Sequence, residues 1–414
     1  HVSVTFASGT PCARSVACAA STMSLGLGMR WLESGQCDVV LAGGYAWGNL
    51  DRRDISQASA QIHIGAGVLD EVGPLVRHAL GTRRLVLLSD ETVAPLYAAR
   101  VAATCGIGPS GILTMPAGEA HKTRASWSRF TDQMLDAGVG RDAAVLALGG
   151  GVVGDIAGFV AATYMRGIPV VQIPTTLLAM IDAAVGGKTG VDTPAGKNLV
   201  GAFHHPTLVI ADPRTFATLP VEQLRNGLAE AVKHGVVASA EDFIFIHANA
   251  AQIVRAGGPG DALGAELVRR HVAIKARVVA ADEKESGVRK ILNFGHTIGH
   301  AVETLSGYTR LHGECVAIGM VVEARIAAAL GVAEPTLAAQ IADVLRAVGL
   351  PVAVPTEITA RAVLAATRTD KKARDGAVEY ALPSRIGAMS GSAHGWGTPV
   401  PDAIVLDALR ETTR

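Results

Sequence analysis

The stretch Ala143-Ala144-Val145-Leu146-Ala147-Leu148-Gly149-Gly150-Gly151-Val152-Val153-Gly154-Asp155 decides the fold. Its first six residues are apolar without alternation. They read as a strand buried on both faces, as in parallel sheets covered by helices. Gly149, Gly151 and Gly154 follow directly and match G-x-G-x-x-G in a strand-to-helix setting. Glycines there let a pyrophosphate approach the backbone and a helix N-terminus. Working outward, residues 61–65 alternate, Gly67 opens an apolar helix through about Leu80, and Arg84–Asp90 is a continuous apolar strand ending in an acid. Ile112–Met115 is a short strand, and Val170–Pro174 is another that ends at Thr175-Thr176. Strands alternating with helices predict a parallel sheet with its ligand at the carboxyl ends.

Asp90 sits at such an end, where a carboxylate can accept bonds from a ribose diol or cap a helix. No acidic residue stands at the usual spacing after the glycine turn, so Asp90 would supply a ribose contact from upstream. Thr175 and Thr176 can bond a cofactor or cap a helix. Gly187-Lys188-Thr189 has the end of a P-loop, but position 182, where the first glycine belongs, is Asp; nucleotide hydrolysis is excluded. Lys188, Lys197, Asp192 and Asn198 on glycine-rich turns still make an anion site.

The 414-residue chain has room for two or three domains. Its 49 % apolar composition supports a sizeable core. A formal net charge of zero argues against nucleic acid and anionic membrane surfaces as partners. No apolar run reaches membrane-spanning length unbroken. Five scattered cysteines without a CxxC pair fit a reducing cytoplasm. The start at His1, without a basic and then apolar leader, is that expected of a piece of a longer reading frame.

From about residue 215 the pattern turns helical, with Leu219-Pro220 at the boundary. Glu230 and Lys233 lie one turn apart among apolar neighbours, as an exposed ion pair or as functional groups. A long helix from about residue 262 carries Lys275, followed by Asp282, Glu283 and Arg289. Residues 292–303 (LNFGHTIGHAVE) read as a helix with His296, His300 and Glu303 on one face, and His312 arrives with the next helix. Imidazoles so placed suggest a divalent metal, with zinc the ion they suit; the alternative is histidines that only make hydrogen bonds. Asp370-Lys371-Lys372 precedes a last short strand, 378–382.

Residues 1–48 stand apart. Cys18, at the start of a helix over about residues 19–34, is either a thiolate nucleophile favoured by the helix dipole or a small buried thiol. VACAAST followed by SGQCDVVLAGG resembles the nucleophile segment of beta-ketoacyl synthases, over about 48 residues only. That family's partner histidine motifs are not found in the chain, so a severed remnant or a junction with a neighbouring reading frame is expected. Residues 49–60 read as a polar linker. The expected division is 1–56 remnant and linker, 57–218 cofactor-binding α/β domain, and 219–414 helical metal- and substrate-binding domain.

Arg166, Lys188, Lys197, Lys233, Lys275, Arg289 and Lys371 lie in otherwise apolar or glycine-rich segments, and such cations need anions. With a dinucleotide and a metal, they suggest a small, multiply anionic substrate. The segments GGGVVGDIAGFVAATYMRG, PTTLLAMIDAAVGGKTGVDTPAGKNLVGAFHHP, AEAVKHG, DEKESGVRKILNFGHTIGHAVE and LHGECVAIGM together resemble the 3-dehydroquinate synthase family, in its order, over about residues 60–390. The resemblance implies an N-terminal NAD-binding α/β domain, a C-terminal helical metal domain and commonly a homodimer. It implies Glu230, His296 and His312 as zinc ligands, cobalt being an alternative ion, with His300 beside the substrate in acid-base or phosphate-contacting work. NAD would contact Asp90, Glu119, Lys122, Gly150, Gly151, Asp155, Thr175, Thr176 and Lys197. Substrate would contact Asp182, Lys188, Asn198, Lys233, Lys275, Arg289, Asn293 and Lys371 or its neighbour, with Arg166 reaching the phosphate across a dimer. Thr92 stands where the family often has Asn, which weakens one cofactor contact.

The implied reaction converts 3-deoxy-D-arabino-heptulosonate 7-phosphate to 3-dehydroquinate and phosphate, a step of the shikimate pathway, with NAD lending and recovering one hydride. The rivals are a related sugar-phosphate cyclase making aminodehydroquinate or 2-deoxy-scyllo-inosose, an inactive interaction protein, and a polyol dehydrogenase of related fold. Lys275, Arg289, Asn293 and GHTIGHAVE favour a carboxylated substrate.

Overall fold

The computed structural model describes residues 61–368 and 377–413, together with the strands Val39–Ala42, Tyr45–Gly48, Ile55–Ser56 and Ala373–Arg374. Cys18, the helix expected after it and Lys371 lie outside the described residues. Two compact units emerge, one of residues 1–175 and 183–214, the other of 176–182 and 215–414.

In the first unit, β1 (Val39–Ala42) and β2 (Tyr45–Gly48) pair antiparallel. The main sheet holds β3 (Ile55–Ser56), β4 (Gln61–Ile64), β5 (Arg84–Asp90), β6 (Ile112–Met115), β7 (Ala143–Gly149), β8 (Val170–Pro174) and β11 (Leu208–Ala211). Their order is β3-β4-β11-β8-β7-β5-β6, and all neighbours are parallel except β3, which is antiparallel to β4. This corrects the linker reading at Ile55–Ser56, where backbone groups close the sheet edge instead of facing water. Successive side chains of β5 and β7 point to opposite faces. Val86, Leu88, Val145 and Ala147 enter one core, and Leu87, Leu146 and Leu148 the other.

The covering helices are α1 (Val72–Leu80), α2 (Ala94–Cys105), α3 (Arg124–Asp136) and α4 (Gly151–Thr163). β5 pairs with β6 on one side and β7 on the other, so the chain reverses its direction across the sheet between β5 and β7. Ligands of open α/β sheets bind at such a reversal, outside the carboxyl ends. Here those ends carry Asp90 and the glycine turn. The glycine-rich passage after residue 182, expected as turns, contains a hairpin of β9 (Lys188–Thr193) and β10 (Gly196–Phe203). Its strands approach closely: a Cβ on Gly201 would stand 2.1 Å from the Thr189 carbonyl oxygen.

The second unit contains α5 (Val221–Ala238), α6 (Ala240–Ile253), α7 (Asp261–Ala281), α8 (His296–Leu305), α9 (His312–Ala329), α10 (Leu337–Ala347), α11 (Ala360–Thr367) and α12 (Asp402–Thr412). α9 is apolar nearly all round and buried, hence central. The helix expected from Leu292 begins instead at His296. Residues Val288–Asn293 form a 3-10 turn, and Gly295 at φ 78° breaks the two apart. Only glycine fits there, since a Cβ would lie 2.6 Å from Met320 Cγ. Among the described residues no helix is long and apolar enough to cross a membrane.

Candidate active site

In the first unit the glycine turn does what its residue types allow. Gly150 caps α4 without a side-chain bond, so the first N–H groups of a 13-residue helix remain for an anion. Gly154 and Gly158 let α4 lie on its neighbours: a Cβ would fall 2.8 Å from Gln172 Oε1 and 2.4 Å from Thr189 Cγ2. Gln172 Nε2 also donates to the Gly154 carbonyl at 3.0 Å. Asp90 Oδ1 accepts from the N–H groups of Thr92 (2.9 Å) and Val93 (2.8 Å), so the capping role is made, with a second oxygen left on the carboxylate. Thr175 N–H donates to the Gly149 carbonyl, tying the ends of β7 and β8.

Beside the turn, Lys122 Nζ meets Asp155 Oδ2 at 2.5 Å, and Lys197 Nζ meets Glu119 Oε1 at 3.1 Å. Burial works against the charge on Lys122, but Asp155 and Glu119 outweigh it and raise its pKa. Asp192 joins this group, a member the sequence reading gave no specific role: its N–H donates to the Lys122 carbonyl, and its Oδ1 accepts from Asn198 N–H at 2.8 Å. Asn198 takes φ 52° to do so. Lys188 opens β9 and is exposed. Arg166 does not join them. It follows the far end of α4, about 20 Å along the helix from Gly151. Met165 and Arg166 both take positive φ there, 51° and 67°.

The second unit gathers charge by side-chain burial. Asparagine and glycine contacts bring its three ligand-bearing helices together. Gly313 N–H donates to Asn226 Oδ1 at 2.6 Å, and a Cβ on Gly313 would stand 2.1 Å from the Asn226 carbonyl oxygen, which sets α9 against α5. A Cβ on Gly319 would stand 2.0 Å from the Gly295 carbonyl oxygen, which sets α9 against α8. Glu323, buried inside apolar α9, accepts from Gly295 N–H (2.7 Å) and Ile298 N–H (3.1 Å) and so caps α8. Sequence reading missed Glu323. The available signal was a lone carboxylate in an apolar helix.

These contacts place Glu230 Oε1 3.5 Å from His296 Nε2 and 3.6 Å from His312 Nε2. A tetrahedral zinc with bonds of about 2.1 Å needs ligand atoms about 3.4 Å apart, so the set fits a metal. The other nitrogen of each ring is engaged: His296 Nδ1 lies 3.1 Å from the Phe294 carbonyl oxygen, and His312 Nδ1 lies 3.4 Å from Glu303 Oε2. His300 is close, with ring centroids 5.3 Å from His296 and 5.8 Å from His312. His300, Glu303 and His312 also form a ligand-like group, as do Asp182, Glu230 and His234.

Glu230 and Lys233 are not an exposed pair but are wholly buried against one another. Burial alone would push the Glu230 carboxyl up; Lys233, then His312, outweigh it and hold it well below the usual carboxylate range. Burial disfavours the His312 cation, yet Glu230 and Glu303 raise its pKa to about 9.

Lys275 bonds Asp182, whose segment Ala179–Ala183 is a π-helix turn, a form that recurs at functional sites. Thr176 Oγ1 caps that turn by accepting from Ala179 N–H at 3.1 Å. Burial, with Arg289 and Lys233 nearby, brings Lys275 down to about 8 against the opposing Asp182. Arg289 is buried and donates to the Glu283 carbonyl, and Asn293 Nδ2 donates to Glu285 Oε1 at 2.8 Å. Asp182, Glu230, Lys233, Lys275, Arg289, His296, His300 and His312 are thereby one charged cluster, suited to a metal and an anion.

Residues 112–226 match the family described as 3-dehydroquinate synthase N-terminal, and residues 227–373 the one described as 3-dehydroquinate synthase C-terminal. The 3-dehydroquinate synthase of Symbiobacterium thermophilum is 45 % identical over 367 residues, covering 86 % of this chain and 99 % of that one. Among solved structures, 2-deoxy-scyllo-inosose synthase complexed with carbaglucose-6-phosphate, NAD+ and Co2+ superposes with a TM-score of 0.79 at 26 % identity, over 87 % of this chain and all of that one. The 2-epi-5-epi-valiolone synthase of Streptomyces hygroscopicus subsp. jinggangensis, with NAD+ and Zn2+ bound, gives 0.76 at 32 % identity, over 88 % and 99 %. With both halves matched in order and this identity over nearly the whole of a curated relative, the chain belongs to the 3-dehydroquinate synthase family.

Proposed function

We propose that the chain converts 3-deoxy-D-arabino-heptulosonate 7-phosphate to 3-dehydroquinate and phosphate, as a phosphate-eliminating cyclase. The observation that carries this is the buried cluster of Glu230, His296 and His312 with Lys233, Lys275 and Arg289, which offers a metal site and three cations together. NAD supplies reversible uptake of a hydride, and a zinc or cobalt ion held by Glu230, His296 and His312 supplies a Lewis acid for the substrate's hydroxyls.

Lys275, Arg289 and Asn293 bind the carboxylate end, and Lys188 and Asn198 the remaining polar groups. Lys371, or its neighbouring lysine, contacts the same substrate. Arg166, which follows the far end of α4, serves the phosphate of a partner copy's substrate. His300 moves a proton or contacts the leaving phosphate. Lys233 keeps Glu230 ionised, and Asp182 holds Lys275 in place. Gly150, Gly151 and the α4 N-terminus receive the pyrophosphate. Asp90, Glu119, Lys122, Asp155, Thr175, Thr176 and Lys197 fix the rest of NAD.

The same reading makes residues 57–218 the cofactor domain and 219–414 the metal and substrate domain, with 1–56 a remnant and linker. A homodimer is supported by Leu199, Val200 and Phe203, apolar and exposed along β10. A cytoplasmic location agrees with the free thiols of Cys105 and Cys315.

The structural likeness to 2-deoxy-scyllo-inosose synthase favours a second reading, a cyclase of a substrate without a carboxylate. Mass spectrometry of incubations with the heptulosonate phosphate, its amino analogue and glucose 6-phosphate separates them. Dehydroquinate from the first supports the proposal. Turnover of glucose 6-phosphate alone overturns it.

A further inference from the structure

Two carboxylates face His312, one at each ring nitrogen. Glu230 Oε1 lies 3.6 Å from Nε2, and Glu303 Oε2 lies 3.4 Å from Nδ1. The two nitrogens of an imidazole point apart, so an ion bound at one leaves the other as an N–H donor. We propose that Glu303 is a positioning residue: it accepts the Nδ1 proton of His312, fixes the tautomer that presents Nε2, and thereby sets how tightly the metal is held. This rests on Glu230, His296 and His312 being the ligands.

Three observations support the assignment. Glu303 is buried, so its carboxylate needs a fixed partner, and His312 provides one. It stands seven residues, two helical turns, beyond His296 on the same face of α8. One helix therefore presents a ligand and braces the ligand of the next. The other ligand is backed differently: His296 Nδ1 faces a peptide oxygen, that of Phe294, at 3.1 Å. A carboxylate makes the imidazole it backs more basic than a carbonyl does, so His312 is the stronger donor of the two. The rival is that Glu303 binds the metal directly, with His300 and His312.

The test uses the full chain, stripped of metal and titrated with Zn2+ against a chromophoric chelator, then refilled with Co2+ for its visible spectrum. E303Q keeps the side chain's size and is the main variant; E303A is the second. Thermal unfolding of the metal-free forms checks that each is folded. We expect E303Q to weaken Zn2+ by about 10–100-fold, the usual cost of losing such a partner, and to keep the wild-type Co2+ band positions because the ligand set is intact. H300A should bind Zn2+ like wild type, and E230Q should lose the site. Wild-type affinity in both Glu303 variants would overturn the inference while leaving the ligand assignment standing. Loss of the site in H300A and E303Q, with E230Q unaffected, would make Glu303 a ligand and overturn both. A wild-type chain that takes up no Zn2+ would overturn the ligand assignment first.

Discussion

Around the glycine turn, the groups suited to NAD are held by backbone. α4 offers bare N–H groups, Asp90 is fixed by two amides, and the ion pairs Lys122–Asp155 and Lys197–Glu119 lie at its margin. Around Glu230 the reverse holds: charged side chains from four helices, a 3-10 turn and a π turn gather against each other, and the backbone only aims them. A site made from backbone fails when space is lost. A site made from buried charge fails when a partner is lost. The two units should therefore respond to different substitutions.

The largest effect is expected in the helical unit. Glu230→Ala leaves Lys233 charged and unpaired in the interior, a loss of about 3–5 kcal/mol on the scale of broken buried pairs. Denaturant unfolding and bound-metal analysis should both record it. Wild-type stability with metal retained would break the contrast.

Next comes acid. His234 and His271 are fully buried with rings 5.7 Å apart, and neither ring nitrogen has a hydrogen-bond partner. Burial lowers His271 to about 4 and His234 well below its usual value. Between about 4 and 6.5 the unfolded chain binds more protons, so stability is full above that window and falls as pH drops through it, by up to about 3 kcal/mol for His271. His271→Leu should flatten the acid limb of a stability–pH curve; an unchanged limb would remove this pair from the account.

In the sheet unit Gly158→Val should cost about 1–3 kcal/mol through crowding of Thr189. Gly151→Ala, whose Cβ would meet only Ala183 at an ordinary 3.4 Å, should spare stability and weaken NAD, read by fluorescence titration. Equal stability losses would show that the turn is packed rather than kept open.

Lys275 sharpens the comparison by pH. As pH rises through about 8 it loses its charge, and kcat/KM for an anionic substrate should fall by about tenfold per pH unit. Between 8 and 10.5 this group binds fewer protons in the folded than in the unfolded chain, so its contribution to stability rises with pH there and the lost activity is not unfolding. Lys275→Arg should move the limb upward. The smallest effect is Lys197→Gln: its pair with Glu119 is partly exposed, so stability should change by under about 1 kcal/mol.

The same contrast governs what the sequence disclosed. The strands Arg84–Asp90, Ala143–Gly149 and Val170–Pro174 were legible because burial on both faces leaves unbroken apolar runs. The glycine turn was legible because a backbone site must be local in sequence. The β9–β10 hairpin was not, since its glycines serve strand contact and looked like turns. Spacing put His296, His300 and Glu303 on one face but could not say which of them holds a metal. That depends on Glu230 and His312, brought in by the Asn226 and Gly319 contacts. The start of α8 was misplaced because Gly295 breaks the helix for a contact with Met320 that is invisible in the local pattern.

The central claim is that NAD is lent and recovered within one phosphate-eliminating turnover. The most direct measurement is phosphate released from the heptulosonate phosphate by the zinc-loaded chain with less NAD than substrate, while NADH absorbance is followed. The account predicts many phosphates per NAD, dehydroquinate in equal amount and no growth of NADH. Phosphate release that stops at one per NAD, or NADH rising in step with product, would contradict it.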